Sequence, residues 1–186
     1  MRELETERLF LRKFHEEDLE DAYKNWASSK KIAGCFDYKR HESKEESKVM
    51  IASLRNEFAN GEPVWVLECK KTGKAIGYIR IVLENERKCN MSAFIIGEKY
   101  EKEGYLEEAL ERVIKFLIIE KGYDILSTYF FDYDEELTKF NESVLEKVNM
   151  QKEAVLRNRK VNKENGKMIS KIIYSVIKED LMKKAV

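Results

Sequence analysis

Proline is nearly missing from this chain: Pro63 is the only one in 186 residues. No Pro- or Ser-rich run, repeat or low-complexity tract marks a linker, so the length fits one domain spanning 1–186. Net charge is missing as well. Lys+Arg and Asp+Glu balance at 35 each, which removes the global field expected of a nucleic-acid or acidic-membrane binder. Long apolar runs are lacking. Phe116-Leu117-Ile118-Ile119 is the densest and falls far short of a membrane span. The opening Met1 to Arg8 is too charged for a signal peptide. Cysteine is scarce: Cys35, Cys69 and Cys89, with His15 and His41 as the only histidines, show no metal-ligand spacing. No metal is expected, and a reducing cytoplasm is the expected setting.

What remains is a well-patterned globule, 43% hydrophobic and 38% charged. Arg8 to Arg12 reads as a strand, and Leu19, Ala22, Tyr23 and Trp26 share a helical face. Ser43 with Glu46 forms a capping box for a second helix carrying Met50, Ile51, Leu54 and Phe58, stopped at Asn60 to Pro63. Val64–Cys69, Ala75–Leu83 and Lys88–Ile96 read as strands, the first two joined by a hairpin turn at Lys71 to Lys74. A helix after Gly104 buries Leu106, Ala109, Leu110, Val113, Ile114 and Leu117. Its outer face offers the pairs Glu108 with Arg112 and Glu111 with Lys115. A strand over Ile125–Phe131 follows, then a helix with Leu137, Phe140, Val144 and Val148 inward, closed by Asn149 at positive φ. Gln151–Lys160 and Lys167–Lys178 form a last hairpin. The order β, α, α, three β, α, β, α, two β predicts an α+β fold: a mixed, largely antiparallel central sheet with helices on both faces.

The stretch from Ala93 to Leu110 carries the strongest functional signal. A strand ends at Gly97, a charged turn follows, and Gly104 opens an amphipathic helix. Unpaired amides at such a helix start, backed by its dipole, suit a phosphate-bearing ligand. The turn nevertheless holds Glu98, Glu101, Glu103, Glu107 and Glu108 against Lys99 and Lys102. Glutamates there also suit the helix dipole with no ligand at all.

Five segments in order resemble the GCN5-related N-acetyltransferase (GNAT) superfamily, nearest its ribosomal-protein N-terminal acetyltransferase (RimJ/RimL-like) branch. They are Thr6 to Arg12, Ile76-Gly77-Tyr78-Ile79, Gly104 to Ala109, Val144 to Met150 and Glu153 to Arg157. The resemblance implies a cytoplasmic N-acetyltransferase that moves an acetyl group from acetyl-CoA to a primary amine of a small molecule or peptide N-terminus by direct attack. It places the thioester in a splay between Lys88–Ile96 and Ile125–Phe131, against backbone groups of Phe94, Ile95 and Ile96. The pyrophosphate would lie on the amides of Glu101, Lys102, Glu103, Gly104, Tyr105 and Leu106. Thr138 would contact the cofactor and Asn141 the leaving thiol, Asn141 being the candidate catalytic residue.

Against the family pattern, Glu101, Lys102 and Glu103 replace Arg or Gln, Gly and a basic residue, and Leu106 replaces a small residue that leaves the amides open. Met91 stands where the branch often has glutamate. A retired, non-catalytic domain acting as a binding module is therefore the alternative. The partners expected are acetyl-CoA and an amine acceptor, with no nucleic acid and no membrane. Many members of that family pair as dimers, and the last hairpin offers an edge for a homodimer. Packing is the simpler role for Tyr105, Cys89 and Tyr129 to Tyr133, and a backbone bridge for Asn141.

Overall fold

A computed structural model describes residues 1–182. Residues 183–186, which the domain reading includes, lie outside the described residues. The elements are β1 (Leu4–Glu5), β2 (Leu9–Arg12), α1 (Leu19–Ala22), α2 (Lys30–Phe36), α3 (Lys44–Ala59), β3 (Val64–Cys69), β4 (Lys74–Leu83) and β5 (Lys88–Ile96). After them come α4 (Tyr105–Ile114), β6 (Ile125–Phe131), α5 (Glu135–Lys147), β7 (Gln151–Val161), β8 (Met168–Ile177) and α6 (Lys178–Met182). α1 runs on as a π-helical turn, Tyr23–Ala27, and α4 as another, Lys115–Glu120.

One eight-stranded sheet runs β1-β2-β3-β4-β5-β6-β8-β7. Every pairing is antiparallel except β5 with β6, which is parallel. Strand alternation sends side chains to two cores. Trp65, Leu67, Met91, Phe94, Phe130 and Tyr174 face α4 and α5. Val64, Val66, Tyr78, Ala93 and Ile95 face α1, α2 and α3. The mixed sheet with helices on both faces is thus as the pattern predicted.

Local signals explain several element ends. Ser43 Oγ accepts from Glu46 N, and Asp134 Oδ1 accepts from Leu137 N, capping α3 and α5. Asn149 adopts φ 67°, the left-handed turn its short amide tolerates. The predicted Glu108–Arg112 pair is not what forms. Glu108 is held by Arg8, and Arg112 bonds Glu120. Arg8, just before β2, gives Glu108 its backbone amide and its guanidinium Nε, one to each carboxylate oxygen, a two-point contact that a flexible neighbour on the same helix does not match.

β7 forms the sheet's far edge. Register shifts at Lys152/Ala154 and Leu156/Lys160, Asn158 at φ 55°, and a largely exposed, charge-rich face break its regularity. Such bulges and charges protect an edge against pairing with another strand. This weakens the hairpin edge as a route to a homodimer.

Helix α2 rests on Tyr133 through Gly34. A Cβ built there would lie 2.3 Å from the Tyr133 ring, so only hydrogen fits. A Gly→Ala change inside a helix normally stabilises by about 1 kcal/mol. Gly34→Ala is expected to destabilise by about 1–3 kcal/mol instead, through overpacking, measured by chemical denaturation. A neutral or positive change would show that α2 does not sit on that ring.

Candidate active site

The parallel pairing of β5 with β6 lasts four rungs, Lys88↔Ile125 to Met91↔Thr128. At the last rung Thr128 Oγ1 donates to Met91 O at 2.7 Å. The next residue, Ser92, is where the β4–β5 register slips: Arg80 pairs Ala93 while Ile81 pairs Met91. The face-parity of β5 changes with it, from Cys89 and Met91 to Phe94 and Ile96 in one core. A bulge bends its strand, and beyond it β5 and β6 diverge. Arg80 Nη1 donates to Ser92 Oγ and holds the bend at 3.2 Å.

The β6-facing edge of β5 beyond Met91 has no strand partner. Gly97 N donates to Ile76 O at 2.8 Å on the β4 side. By two-residue alternation Ile95 also faces β4, so the amides of Phe94 and Ile96 face the splay. Of the three strand residues singled out from sequence, Phe94 and Ile96 offer their backbone there and Ile95 does not.

The turn after β5 is more ordered than a bare loop. Glu98–Glu103 is a 3₁₀ helix, whose i→i+3 bonding draws its amides onto its own carbonyls. Gly104 at φ 72° reverses the chain and starts α4. The first intrahelical bond of α4 is Glu108 N to Gly104 O, leaving the amides of Tyr105, Leu106 and Glu107 before it. Leu106 does not cover them as its type suggested; its side chain is buried in the α4 core.

The carboxylates are arranged unequally. Arg8 binds Glu108 through its backbone amide at 2.8 Å and Nε at 2.5 Å, and its Nη atoms reach Glu103 O and Gly104 O. Its guanidinium lies 4.5 Å from the Tyr105 ring centre. Glu107 accepts from Lys147 at 3.0 Å, and Glu98 from Ser29 Oγ at 2.8 Å. Glu103 and Lys102 are exposed. Glu101 is half-buried with its pKa raised, first by burial and then by Glu98; Lys31 opposes the rise, and Asp134 and Glu136 add to it. The acidity thus collects on Glu101, between the turn and the start of α5.

Four buried side-chain atoms have no hydrogen-bond partner among the described residues: Trp26 Nε1, Glu107 Oε2, Thr138 Oγ1 and Asn141 Nδ2. Asn141 is 1% exposed. An orphaned buried donor costs about 1–3 kcal/mol. Asn141 lines the splay beside Phe94, Ile95 and Ile96, and Thr138 lies one helical turn earlier on α5. The amide nitrogen of Asn141 makes no backbone bridge of the kind expected of it.

The splay itself is filled from the other face. Ile32 and Phe36 of α2, with Leu137 and Phe140 of α5, leave a cavity of about 10 Å³, near the roughly 10–15 Å³ that one water needs. Phe36 meets Phe94 edge-on at 4.8 Å and packs against both cores. The polar atoms and amides thus offer hydrogen bonds to a ligand, while Phe36 fills the space beside them. Sequence reading missed α2 altogether; Ser29, whose hydroxyl accepts from Ile32 N, was the available signal.

The other candidates are structural. Cys35, Cys69 and Cys89 are free and buried, and burial pushes the Cys35 and Cys89 thiols up to about 12. His41 bonds Ser47 Oγ, and burial lowers its pKa. Among the described residues no cluster could hold a metal ion, and no helix is long and apolar enough to cross a membrane.

Comparison with known proteins agrees with this geometry. No curated protein sequence matches the chain. An acetyltransferase from Bacillus anthracis, described as GNAT family, superposes with TM-score 0.77 at 18% identity, over 96% of this chain and 99% of that one. Ribosomal-protein-S5-alanine acetyltransferase from Vibrio fischeri gives 0.75 at 15%, over 97% and 98%. RimL, a ribosomal L7/L12 alpha-N-protein acetyltransferase solved with coenzyme A, gives 0.76 at 12%, over 95% and 98%. Similarity at this level is a likeness of fold. The profile of the acetyltransferase (GNAT) domain matches residues 8–151, and the chain belongs to that family.

Proposed function

We propose that this acyltransferase moves an acetyl group from acetyl-CoA to a primary amine of a small molecule or peptide N-terminus. The single observation that carries the reading is the orphaned Asn141 Nδ2 beside an unpaired strand edge, with a second orphan, Thr138 Oγ1, one helical turn earlier on α5. Burying unsatisfied polar groups is costly unless a ligand completes them. RimL, a fold relative, is described in complex with coenzyme A.

The chemistry asks little of side chains. The neutral amine attacks the thioester carbonyl, a C–N bond forms, the C–S bond breaks, and the amine proton passes to water while the thiolate takes one up. The amides of Phe94 and Ile96 would polarise the carbonyl. Asn141 Nδ2 would donate to the departing sulfur, and the amides of Tyr105 to Glu107 would meet the pyrophosphate. Holding both substrates in line supplies most of the rate. Phe36 must rotate out as the pantetheine enters. The filled splay is what favours the non-catalytic reading; buried donors kept without a partner weigh against it.

A thermal shift with acetyl-CoA tests the reading. Saturation at about 100 times Kd should add about 2.7 kcal/mol. Thr138→Val should behave in two opposed ways. Losing an orphaned hydroxyl should raise the ligand-free melting temperature, by about 2–4 °C per kcal/mol gained, while acetyl-CoA binding weakens. A flat response of the native chain to acetyl-CoA, with no thiol release from a panel of amines, would favour the non-catalytic domain.

Glu101 gives the binding a pH dependence. Its carboxyl has a raised pKa, so it stays protonated to a higher pH than an ordinary glutamate. As pH rises through that pKa the charge appears beside the phosphates and acetyl-CoA affinity falls. Glu101→Gln should tighten binding by about fivefold, about 1 kcal/mol, at neutral pH, and flatten the affinity profile across the acid range. Calorimetric titration against pH reads both; an unchanged profile would place Glu101 away from the phosphates.

A further inference from the structure

The face of α2 turned away from the splay borders a second cavity, about 450 Å³, between α2 and the β7–β8 turn. Ala33, Gly34 and Tyr133 form its apolar side. Its rim is cationic: Lys30, Lys39, Arg40, Lys160 and Lys163, against Asp37 and Glu164. That excess stands out in a chain whose formal net charge is zero. The two acids are already used. Lys160 Nζ pairs with Asp37 at 2.5 Å and Lys30 Nζ with Glu164 at 3.2 Å. Outside the lining, Glu46 takes Lys39 and Glu42 lies 3.9 Å from Arg40. Lys163 has no ion-pair partner among the described residues. All four pairs are at least partly exposed and exchange readily for an incoming carboxylate.

We propose that this groove recognises the acyl acceptor and selects an amine that carries carboxylates, the N-terminus of an acidic peptide being the best fit. The proposal rests on the acetyl-transfer reading above. α2 is the wall between groove and splay: Ala33, Gly34 and Asp37 face one, Ile32 and Phe36 the other. Phe36 lines the splay and the next residue, Asp37, lines the groove. A chain whose carboxylates lie along the lysine rim therefore brings its amine within attacking distance of the thioester around that end of α2, once Phe36 has turned out. A volume of 450 Å³ holds a few residues rather than a folded surface. Complementary charge raises the encounter rate and rejects cationic amines.

The test uses the full chain and four acceptors: the peptides Ser-Asp-Glu-Asp, Ser-Asn-Gln-Asn and Ser-Lys-Arg-Lys, and free aspartate. With acetyl-CoA, thiol release should give the acidic peptide a kcat/KM on the order of tenfold above the neutral one, the preference shrinking as salt rises. Arg40→Glu with Lys163→Glu should erase that preference, with the loss falling on KM, while a melting curve confirms the fold. Equal kcat/KM for the three peptides, or a preference untouched by the double variant, overturns the proposal. Use of free aspartate as readily as the peptide overturns the peptide as occupant and leaves a small carboxylated amine.

Peptide binding measured without acetyl-CoA separates the two readings. If acetyl-CoA neither binds nor releases thiol, the transfer reading fails and the acceptor role fails with it. Binding of the acidic peptide that the double variant abolishes would then support the ligand class alone. Absence of such binding overturns the groove as a carboxylate site.

Discussion

Everything about the candidate site depends on the parallel ladder between β5 and β6 stopping after four rungs. Thr128 ends it by giving its hydroxyl to Met91 O, and the extra residue Ser92 bends β5 away. The strand edge that opens has no backbone partner, so its amides stay free in a region otherwise packed. A sheet that paired to the end would bury the same residues and offer no cleft. The family relationship over residues 8–151 is expressed physically in that fork more than in any side chain.

The acidic turn resolves into separate electrostatic environments. Glu107 and Glu108 are drawn off by Lys147 and Arg8, and Glu98 by Ser29. Arg8 in effect locks β2 to the start of α4, through a carboxylate and two carbonyls at once. Glu103 is left to solvent, whereas Glu101 is half-buried without an ion pair among the described residues, and burial and Glu98 raise its pKa. Two of the five glutamates are thus paired with cations, and Glu101 is the one that the fold half-buries.

Much of the fold was legible because its signals are local. The strands of the middle, the glycine at 104, the asparagine at 149 and the cap Ser43 act within a few residues. What escaped was short or long-range. β1 has two residues and α2 seven, with Gly34 inside it, too little for periodicity to register. The Arg8–Glu108 contact spans 100 positions, so a neighbour on the helix looked the better partner. Leu106 read as an obstacle by its size, but direction mattered more: helix geometry turns it into the core. Among the named site residues, Thr138 and Asn141 stand out in the structure for a reason no sequence could display, since an unmet hydrogen bond exists only after folding.

Cys35 sits on the same short helix that seals the cleft, wholly buried and with its thiol kept protonated. Its sulfur is shielded for as long as that helix stays seated. Alkylation of the native chain at this position would run no faster than the helix lifts. The molecule therefore carries a built-in chemical clock, one that reports how often its own door opens through a thiol that is already there.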